Sequence, residues 1–433
     1  MNIVERAGQF VQGLKKIMRL RAEGWKQCPR CGSYHTIRHG TYARHPWGIR
    51  GRLTIRVQRH KCHQCQHTYA EQTIWLAPRS WYTRAVHRMA IDGWMHGRSS
   101  LRRVAEFVRS MIGRQERWWI WHSLLEEELG EKAEEKSCYL SASTVQRWLD
   151  RAGNVAQASI AGQLRGIRCA GEMGTDGLWA RLRGGVKRVG LLLVDYTSGL
   201  VHPPVVVEDE AQASHWGQLF QRAQAAGLWL ADLNGITSDG SQGLLSYLRT
   251  ELSGVHQQRC VWHVWRSVSR QVRQQIKMAV QGLDDQAAKE RRRQLRRELS
   301  GMLHAFFDAT SYECAEEALA ELAAHICGQA LATGLEKLQD ALLMHLMQNH
   351  TGLTRVGPEW YWRDFRQRLS GGRNHGSQQR LERALLSWAI YRNFTPVQRR
   401  SEQKRHYRHP GQSPLEVAGA PPGSLSYLDA LGV

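Results

Sequence analysis

Apolar positions along the chain alternate in some stretches and follow a helical period in others. Three apolar runs separated by turn residues predict consecutive strands at 168–183, 187–199 and 200–210. The stretch AQASHWGQLFQRAQAAGL has helical periodicity, and NGITSDGSQGLLSYLRTEL predicts a short strand that ends at Asp239 and precedes a helix. From 275 to 350 the composition is rich in Ala, Leu, Glu, Gln and Arg, which predicts only helices. The pattern therefore indicates an α/β core with an all-helical insertion.

Two Cys-x-x-Cys pairs mark the N-terminal part of the chain. The four cysteines are Cys28, Cys31, Cys62 and Cys65. Each pair places two thiolates on one tight turn, and four thiolates in tetrahedral geometry suit Zn²⁺, whose binding folds such a module. The intervening SYHTIRHGTYAR and GRLTIRVQRHKC alternate like strands. We expect one structural zinc ion in a ribbon over residues 1–75, with His63 and His67 as competing ligands.

Helical segments follow the ribbon. Residues 80–109 predict two helices joined by a turn, and residues 141–153 predict a third helix that begins with a Ser/Thr cap. Helix pairs of this kind occur in proteins that read the major groove of DNA. We therefore expect a helix-turn-helix DNA-binding domain over residues 76–155, with Gln146 and Arg147 as exposed DNA-binding residues. An ordinary helical linker domain is the alternative.

The excess of basic over acidic residues indicates a polyanionic partner. The chain has 60 Lys and Arg residues against 39 Asp and Glu residues, a formal net charge of +21. Such a surplus attracts a phosphate backbone through counterion release. No apolar run approaches the length of a membrane span, and the charged N-terminus has no signal-peptide core. We expect a cytoplasmic protein whose partner is double-stranded DNA and which binds no membrane.

Three motifs carry a resemblance to a known family. They are GTDG around Asp176, TSDG around Asp239, and QRCVWHVWR, where Cys260 and His263 have Cys-x-x-His spacing. With the order β-β-β-α-β-α, the block from about 165 to 395 resembles an RNase H-like DDE transposase of the prokaryotic kind related to the Mutator superfamily. In a sheet of strand order 3-2-1-4 the first and fourth strands are neighbours, so the two aspartates would approach each other.

The resemblance also implies a catalytic glutamate late in the chain. Pro358 suits the first position of a helix and places Glu359 in its first turn, while Arg366 lies two turns further on the same face. Glu-x6-Lys/Arg is the pattern of the superfamily at its catalytic glutamate. Glu359 is therefore the expected third acid, and Glu382 in a later helix is the alternative. Many relatives carry Asn three residues before this glutamate, where the present chain has Val356.

The resemblance implies metal-dependent cleavage at transposon ends, followed by strand transfer into target DNA. Water or a sugar 3′-hydroxyl attacks the phosphodiester, so the chemistry needs a clamp of two Mg²⁺ ions, or Mn²⁺ in their place, rather than a nucleophilic side chain. Asp176 would bridge both ions, Asp239 would bind one and Glu359 the other, while Arg266 and Arg366 would contact DNA. A nucleoid-associated homodimer in a synaptic complex is implied. A catalytically inactive DNA-binding regulator and a structure-specific nuclease are the competing functions.

The Cys260–His263 pair admits three interpretations at this point. It braces the catalytic sheet as a buried pair, it assists near the scissile DNA, or it binds metal. Two ligands alone make a poor zinc site, and no third or fourth ligand is evident nearby in the sequence.

The predicted fold class is a multidomain α/β protein in which an RNase H-like mixed sheet is interrupted by helices. The expected domains are a zinc ribbon with a basic N-terminal helix at 1–75, a helix-turn-helix domain at 76–155, the first part of the catalytic core at 160–272, a helical insertion at 273–350, the final core helices at 351–395 and a basic tail at 396–433.

Overall fold

The chain, described by a computed structural model, divides into two compact units. The first consists of Met1–His96 and Leu101–Val145, and the second of Gly97–Ser100 and Gln146–Val433. The described residues are 27–71, 75–77, 79–97, 99–118, 138–167, 171–347, 355, 357–369, 376–396, 411–420 and 426–433. The predicted N-terminal basic helix and Val356 lie outside these ranges. Within them, no helix is both long enough and apolar enough to cross a membrane.

The first unit begins with a small antiparallel sheet of order β1-β4-β5. The strands of the first unit are β1 Thr36–Arg44, β2 Trp47–Gly48, β3 Gly51–Arg52, β4 Ile55–Cys62 and β5 Thr68–Ala70. Of these, β2 and β3 form a separate hairpin. Strands β1 and β4 coincide with the two strands expected between the cysteine pairs. Thr36 lies opposite Cys62 in their register, so the pairing of these strands brings the two ends of the ribbon together.

Two helices follow in the first unit, α1 Arg84–Gly97 and α2 Leu101–Trp118, as the pattern over 80–109 predicted. The third predicted helix, α3, is longer than expected and covers Ala142–Leu164. The apolar stripe of its first turns continues through Ala156, Ile160 and Leu164, all of which are buried. This continued stripe is the reason why the helix does not end near residue 153, and the boundary between the two units falls inside it.

The second unit contains a five-stranded mixed sheet of order β10-β9-β6-β7-β8. Its strands are β6 Glu172–Arg181, β7 Lys187–Asp195, β8 Val205–Val207, β9 Gly235–Ser238 and β10 His256–Arg259. β6, β7 and β8 are antiparallel neighbours, whereas β9 runs parallel to both β6 and β10. The first and fourth strands of the sheet are thus adjacent, as the expected order requires. The fifth strand was not predicted, because four polar residues give no alternation.

Helices cover both faces of this sheet. Beyond α3, the helices of the second unit are α4 Ala213–Ala225, α5 Gln242–Glu251, α6 Val261–Ala279, α7 Asp285–Phe307, α8 Tyr312–Ala324, α9 Gln329–Glu336, α10 Gln339–Leu343, α11 Glu359–Leu369, α12 Gln378–Phe394, α13 Pro414–Val417 and α14 Tyr427–Ala430. Leu191 and its neighbours on one face pack against Trp216 of α4 and Leu244 of α5. On the other face, a Cβ at Gly190 would meet Leu385 and Trp362, so this glycine lets α11 and α12 approach the sheet closely.

The helices α6 to α10 share one apolar cluster. α6 contributes Val264, Val268 and Ile276, which pack with buried leucines and phenylalanines of α7 and with residues of α8 to α10. α6 continues without a break past residue 272, where the sequence suggested that the first part of the core ends. Described residues 280–347 contain helices and turns and no strand.

A buried glutamine of the edge strand β10 hydrogen-bonds to the end of this helical segment. Gln258 of β10 is fully buried, and its Nε2 donates a hydrogen bond of 2.8 Å to the carbonyl oxygen of Leu342. Its Oε1 accepts a hydrogen bond of 2.9 Å from the amide of His345. This amide side chain fixes the segment that precedes Glu359 beside the strand that precedes α6. The short helices α13 and α14 of the predicted tail contact α12.

Candidate functional site

The four cysteine thiols of the first unit form one compact group. All four Sγ atoms lie within 4.8 Å of one another, with Cys28 Sγ 3.6 Å from Cys65 Sγ and Cys31 Sγ 3.6 Å from Cys62 Sγ. Four sulfur ligands at these separations suit a tetrahedral zinc ion. The predicted ligand set of the ribbon is therefore assembled in the structure, and the group could hold Zn²⁺.

The two cysteine turns have the same backbone geometry. Gly32 and Gln66 each donate an amide hydrogen bond to the carbonyl of the first cysteine of their pair, at 2.9 Å and 3.0 Å. Both residues have positive φ, 74° for Gly32 and 58° for Gln66. A left-handed residue after the second thiol turns the chain back and leaves both sulfurs of a pair on one side. Glycine adopts this conformation freely, whereas Gln66 adopts it at a cost in backbone strain.

The second candidate site begins in the middle of β6. Asp176 lies opposite Leu192 of β7 and is 3% exposed. Its Oδ1 accepts a hydrogen bond of 2.9 Å from the amide of Gly177, whereas its Oδ2 is buried with no hydrogen-bond partner among the described residues. A buried carboxylate oxygen normally has a partner, and a hard divalent cation is a partner that suits this atom.

Glu359 and His263 meet Asp176 from two helices. His263 of α6 places its Nε2 4.0 Å from Asp176 Oδ1 and 3.9 Å from Glu359 Oε2. One ligand atom from each of the three residues lies within 4.8 Å of the other two. The structure therefore brings two of the three predicted acids together and adds a histidine. The sequence did not indicate this place for His263, because no pattern in it places α6 beside both carboxylates.

Asp239 lies beside this group without being part of it. Gly174 and Thr237 are paired in the parallel register of β6 and β9, so Asp176 and Asp239 each follow two residues later. Asp239 acts electrostatically on Asp176, but its oxygens are outside the 4.8 Å group formed by the described ligands. Its Oδ1 instead accepts a hydrogen bond of 3.0 Å from the amide of Ser241 at the start of α5. The expected direct approach of the two aspartates is thus only partial.

The electrostatics of the site favour a bound cation. Burial, a hydrogen bond to Glu359 and the negative charges of Glu359 and Asp239 raise the pKa of Asp176 well above its ordinary value. Burial lowers the pKa of His263, so its imidazole is neutral at neutral pH despite the nearby acids. A neutral imidazole can bind a divalent cation directly, and a cation between the carboxylates would offset the repulsion that raises the pKa of Asp176.

Cys260 fixes the backbone just before Glu359. It is buried at the N-terminal cap of α6, and its Sγ accepts a hydrogen bond of 3.0 Å from the amide of Gly357. The next amide, that of Val261, donates a hydrogen bond of 2.9 Å to the carbonyl of Arg355. Cys260 therefore makes a bracing contact, whereas His263, three residues later, faces the carboxylates. The two members of the motif have different surroundings.

The two candidates for the third acid, Glu359 and Glu382, have different arginine partners. Arg366 Nη1 donates a hydrogen bond of 3.1 Å to Glu359 Oε1, as their placement two turns apart on one helix face allows. Glu382 of α12 instead forms an ion pair with Arg222 of α4. Glu359 rather than Glu382 is thus the glutamate that lies at Asp176.

Two charged residues near the site were not identified from the sequence. The guanidinium group of Arg259 occupies the place of a Cβ at Gly240, and its Nε has no hydrogen-bond partner among the described residues. The carboxylate of Glu210 accepts a hydrogen bond of 3.1 Å from Trp179 Nε1, and its pKa is raised by burial and by the charge of Asp239. Glu210 belongs to no motif, and Arg259 stands within QRCVWHVWR but was given no role there.

The remaining predicted DNA-binding residues lie on helices. Gln146 Nε2 donates a hydrogen bond of 3.0 Å to Asp150 Oδ1 within α3, and Arg147 is exposed on the same helix. Arg266 of α6 places its guanidinium carbon 5.4 Å from the ring centre of Trp262. Gln146 and Arg147 are not part of the carboxylate group, and their contact with DNA stays a prediction.

Comparison with known proteins gives a family match over part of the chain. Residues 204–347, about a third of the chain, match the family model described as Transposase, Mutator family. The matched segment contains Asp239, Cys260 and His263 but ends before Glu359 and begins after Asp176. No curated protein matches the chain. The second unit is therefore similar, over this segment, to Mutator-family transposases.

We expect the double substitution Cys28→Ser and Cys62→Ser to abolish zinc binding. It removes one ligand from each cysteine turn, and Zn²⁺ binding that supplies about 10–16 kcal/mol does not survive with two thiolates. Atomic emission on the purified chain should give about one zinc per chain before and close to none after the change. Cys314→Ser, at an exposed cysteine of α8, is the control and should keep the metal. Unchanged zinc content in the double variant contradicts the assignment.

We expect Asp176→Asn to stabilise the metal-free protein at pH 8. Because the pKa of Asp176 is raised in the folded state, ionising its carboxyl opposes folding above the unfolded pKa of about 3.9. An asparagine carries no charge and can donate to Glu359, so the free energy of unfolding should rise by about 0.5–2 kcal/mol. The gain should disappear near about pH 3, below the unfolded pKa of about 3.9, where the native carboxyl is neutral in both states. Urea unfolding in EDTA at both pH values measures it, and a loss of stability at pH 8 contradicts the proposed repulsion.

Cys260→Val and Cys260→Ser separate bracing from simple packing. Valine fills similar space but leaves the buried amide of Gly357 without an acceptor, which costs about 1–3 kcal/mol, whereas a serine hydroxyl can still accept. We expect Mn²⁺ affinity, measured by electron paramagnetic resonance, to fall roughly tenfold in the valine variant and to stay near the native value in the serine variant. Equal Mn²⁺ affinity of the valine variant and the native protein would show that the contact does not position Glu359.

Proposed function

We propose that this protein is a DNA transposase of the DDE type, which binds transposon ends and catalyses metal-dependent strand cleavage and strand transfer. One observation carries the proposal: ligand atoms of Asp176, His263 and Glu359 lie within 4.8 Å of one another. Asp239 adjoins them, and the segment that contains Asp239 and His263 matches a transposase family. The strand order β10-β9-β6-β7-β8, with helices on both faces, supports an RNase H-like fold for this unit.

The residues of the site would have different roles in binding the metal ions. Bound Mg²⁺ or Mn²⁺ would activate the attacking oxygen and stabilise the leaving one. Asp176, whose pKa is raised by the charges of both Glu359 and Asp239, would be the central acid that holds the cations. Glu359 and Asp239 would each complete one side of the clamp. His263, neutral and facing both Asp176 and Glu359, supports an auxiliary role in the site rather than a bracing one.

Cations beside the acids would hold the phosphate groups. Arg366 is half-exposed and bonded to Glu359. When Glu359 binds a metal ion, Arg366 is free to bind a DNA phosphate. Arg259, whose Nε lacks a partner among the described atoms, lies over the turn that follows Asp239. A planar guanidinium in this place can donate two parallel hydrogen bonds to a phosphate.

The zinc ribbon would provide a separate contact with DNA. Residues 27–70 contain no aspartate or glutamate, and their cations are Arg30, Arg38, Arg44, Arg50, Arg52, Arg56, Arg59 and Lys61. Strand β1 is exposed along nearly its whole length. An exposed basic sheet without acids suits a phosphate backbone. Two copies of the chain would bind the two ends of an element in a synaptic complex.

The test is cleavage of duplex DNA that carries the sequences flanking the coding region. We expect nicking and joining with Mg²⁺ or Mn²⁺ and neither in EDTA. Asp176→Asn, Asp239→Asn and Glu359→Gln should each lower the cleavage rate by at least about 10³-fold, as expected for loss of a cation ligand, while DNA binding remains. Glu382→Gln is the matched control and should cleave normally, because Glu382 pairs with Arg222.

Other outcomes of this experiment identify the competing functions. Sequence-specific binding with no cleavage of any end-containing DNA indicates an inactive regulator. Cleavage of branched or hybrid substrates regardless of end sequence indicates a structure-specific nuclease. Full activity of both aspartate variants would overturn the proposed site itself.

A further inference from the structure

One side of helix α6 carries a row of cations that begins at the candidate active site. The row consists of Arg266, Arg270, Arg273 and Lys277. These residues follow His263 at alternating steps of three and four, which places all of them on the side of the helix that carries His263, within an arc of about 80°. All four are exposed. We call this row the α6 stripe.

The opposite side of α6 is apolar and fixed. Val264, Val268 and Ile276 are buried in the cluster formed with α7 to α10. The helix therefore cannot rotate to bury its cations, and the backbone positions of the α6 stripe are fixed. Binding then orders only the four side chains, and the regular spacing of their positions favours a partner of regular shape.

No described carboxylate neutralises the charge of the α6 stripe. The 19 residues of α6 contain no aspartate or glutamate. Within the described part of the chain, no carboxylate forms an ion pair with any of the four cations; Arg266 lies over the ring of Trp262 instead. Four adjacent cations repel one another, so a row of this kind is stabilised by an external polyanion.

We propose that the α6 stripe binds one phosphate backbone of the duplex DNA that adjoins the cleaved bond, an inference that rests on the proposed transposase function. Arg266 and Lys277 are eleven residues apart, about 16 Å along the helix. This length corresponds to roughly five phosphates of one strand at 3.4 Å each along the axis. Because His263 faces Asp176 and Glu359, a strand that leaves the reacting phosphate meets Arg266 first and Lys277 last.

The test compares two triple variants that lose the same charge. The first is Arg270→Gln, Arg273→Gln and Lys277→Gln, which leaves Arg266 beside the active site intact. The control is Arg165→Gln, Arg249→Gln and Lys337→Gln, three exposed cations at the end of α3, on α5 and at the residue that ends α9. Equal net charge cancels long-range effects, and circular dichroism with thermal unfolding checks that both variants fold. Binding of an end-containing duplex is measured by fluorescence anisotropy without added divalent metal, as a function of salt.

We expect the first triple variant to bind roughly 10- to 100-fold more weakly at low salt. The slope of log affinity against log salt should become shallower by about 2.7, which is 0.9 for each lost phosphate contact. The control should change the slope by less than about 1. Shortening the duplex to fewer than about five base pairs on one side of the cleavage position should remove the difference between native and first variant, since that side is the one the α6 stripe contacts.

The outcomes separate this inference from the proposed function. Equal slopes for the two triple variants, or a defect that persists after shortening either side, would overturn the α6 stripe as a DNA track even if the native protein cleaves. A slope change that depends on one flank, together with no cleavage by the native protein, would support the track and overturn the enzymatic proposal. Unchanged DNA binding by the first variant would refute the inference, and would indicate that the α6 stripe binds an acidic partner other than this DNA.

Discussion

The second unit is organised around the repulsion between Asp176 and Glu359. These carboxylates come from a central strand and from a helix near the end of the chain, and Asp176 is almost fully buried. A buried acid beside a second acid opposes folding unless a cation or a proton lies between them. The pKa of Asp176 is raised by this burial and by the neighbouring negative charges.

Three hydrogen bonds from β10 and the start of α6 restrain the backbone of this unit. Gln258 fixes the end of the helical segment to the sheet, and Cys260 and Val261 fix the backbone on either side of residue 356. Each of these contacts joins residues that are far apart in sequence, and those of Cys260 and Val261 limit how far Glu359 can move from Asp176. The Cys-x-x-His motif thus combines two tasks, in which its cysteine positions the chain and its histidine faces the acids.

The sequence predicted the parts of this arrangement that depend on local pattern. Alternation and periodicity indicated β6, β7 and the helices, whereas the adjacency of the first and fourth strands followed from the strand order 3-2-1-4 of the family that the chain resembles. The thiol group could be predicted because a metal ligand set has a fixed spacing. The place of His263 could not, because it depends on β10, a four-residue polar strand without a pattern, and on the long-range bonds of Gln258. Asp239 was expected to meet Asp176, but the amide of Ser241 at the start of α5 competes for its carboxylate.

The distribution of charge connects the site to the rest of the chain. The chain has a net charge of +21, whereas the site brings together two carboxylates and a neutral imidazole, with the carboxylate of Asp239 beside them. A polyanion that is attracted to the surface would be repelled by this centre unless divalent cations reverse its charge. The same cations that suit the unsatisfied oxygen of Asp176 would therefore also admit a phosphate. Binding of the cations and binding of the reacting phosphate at this site would therefore depend on each other, and the proposed function requires both.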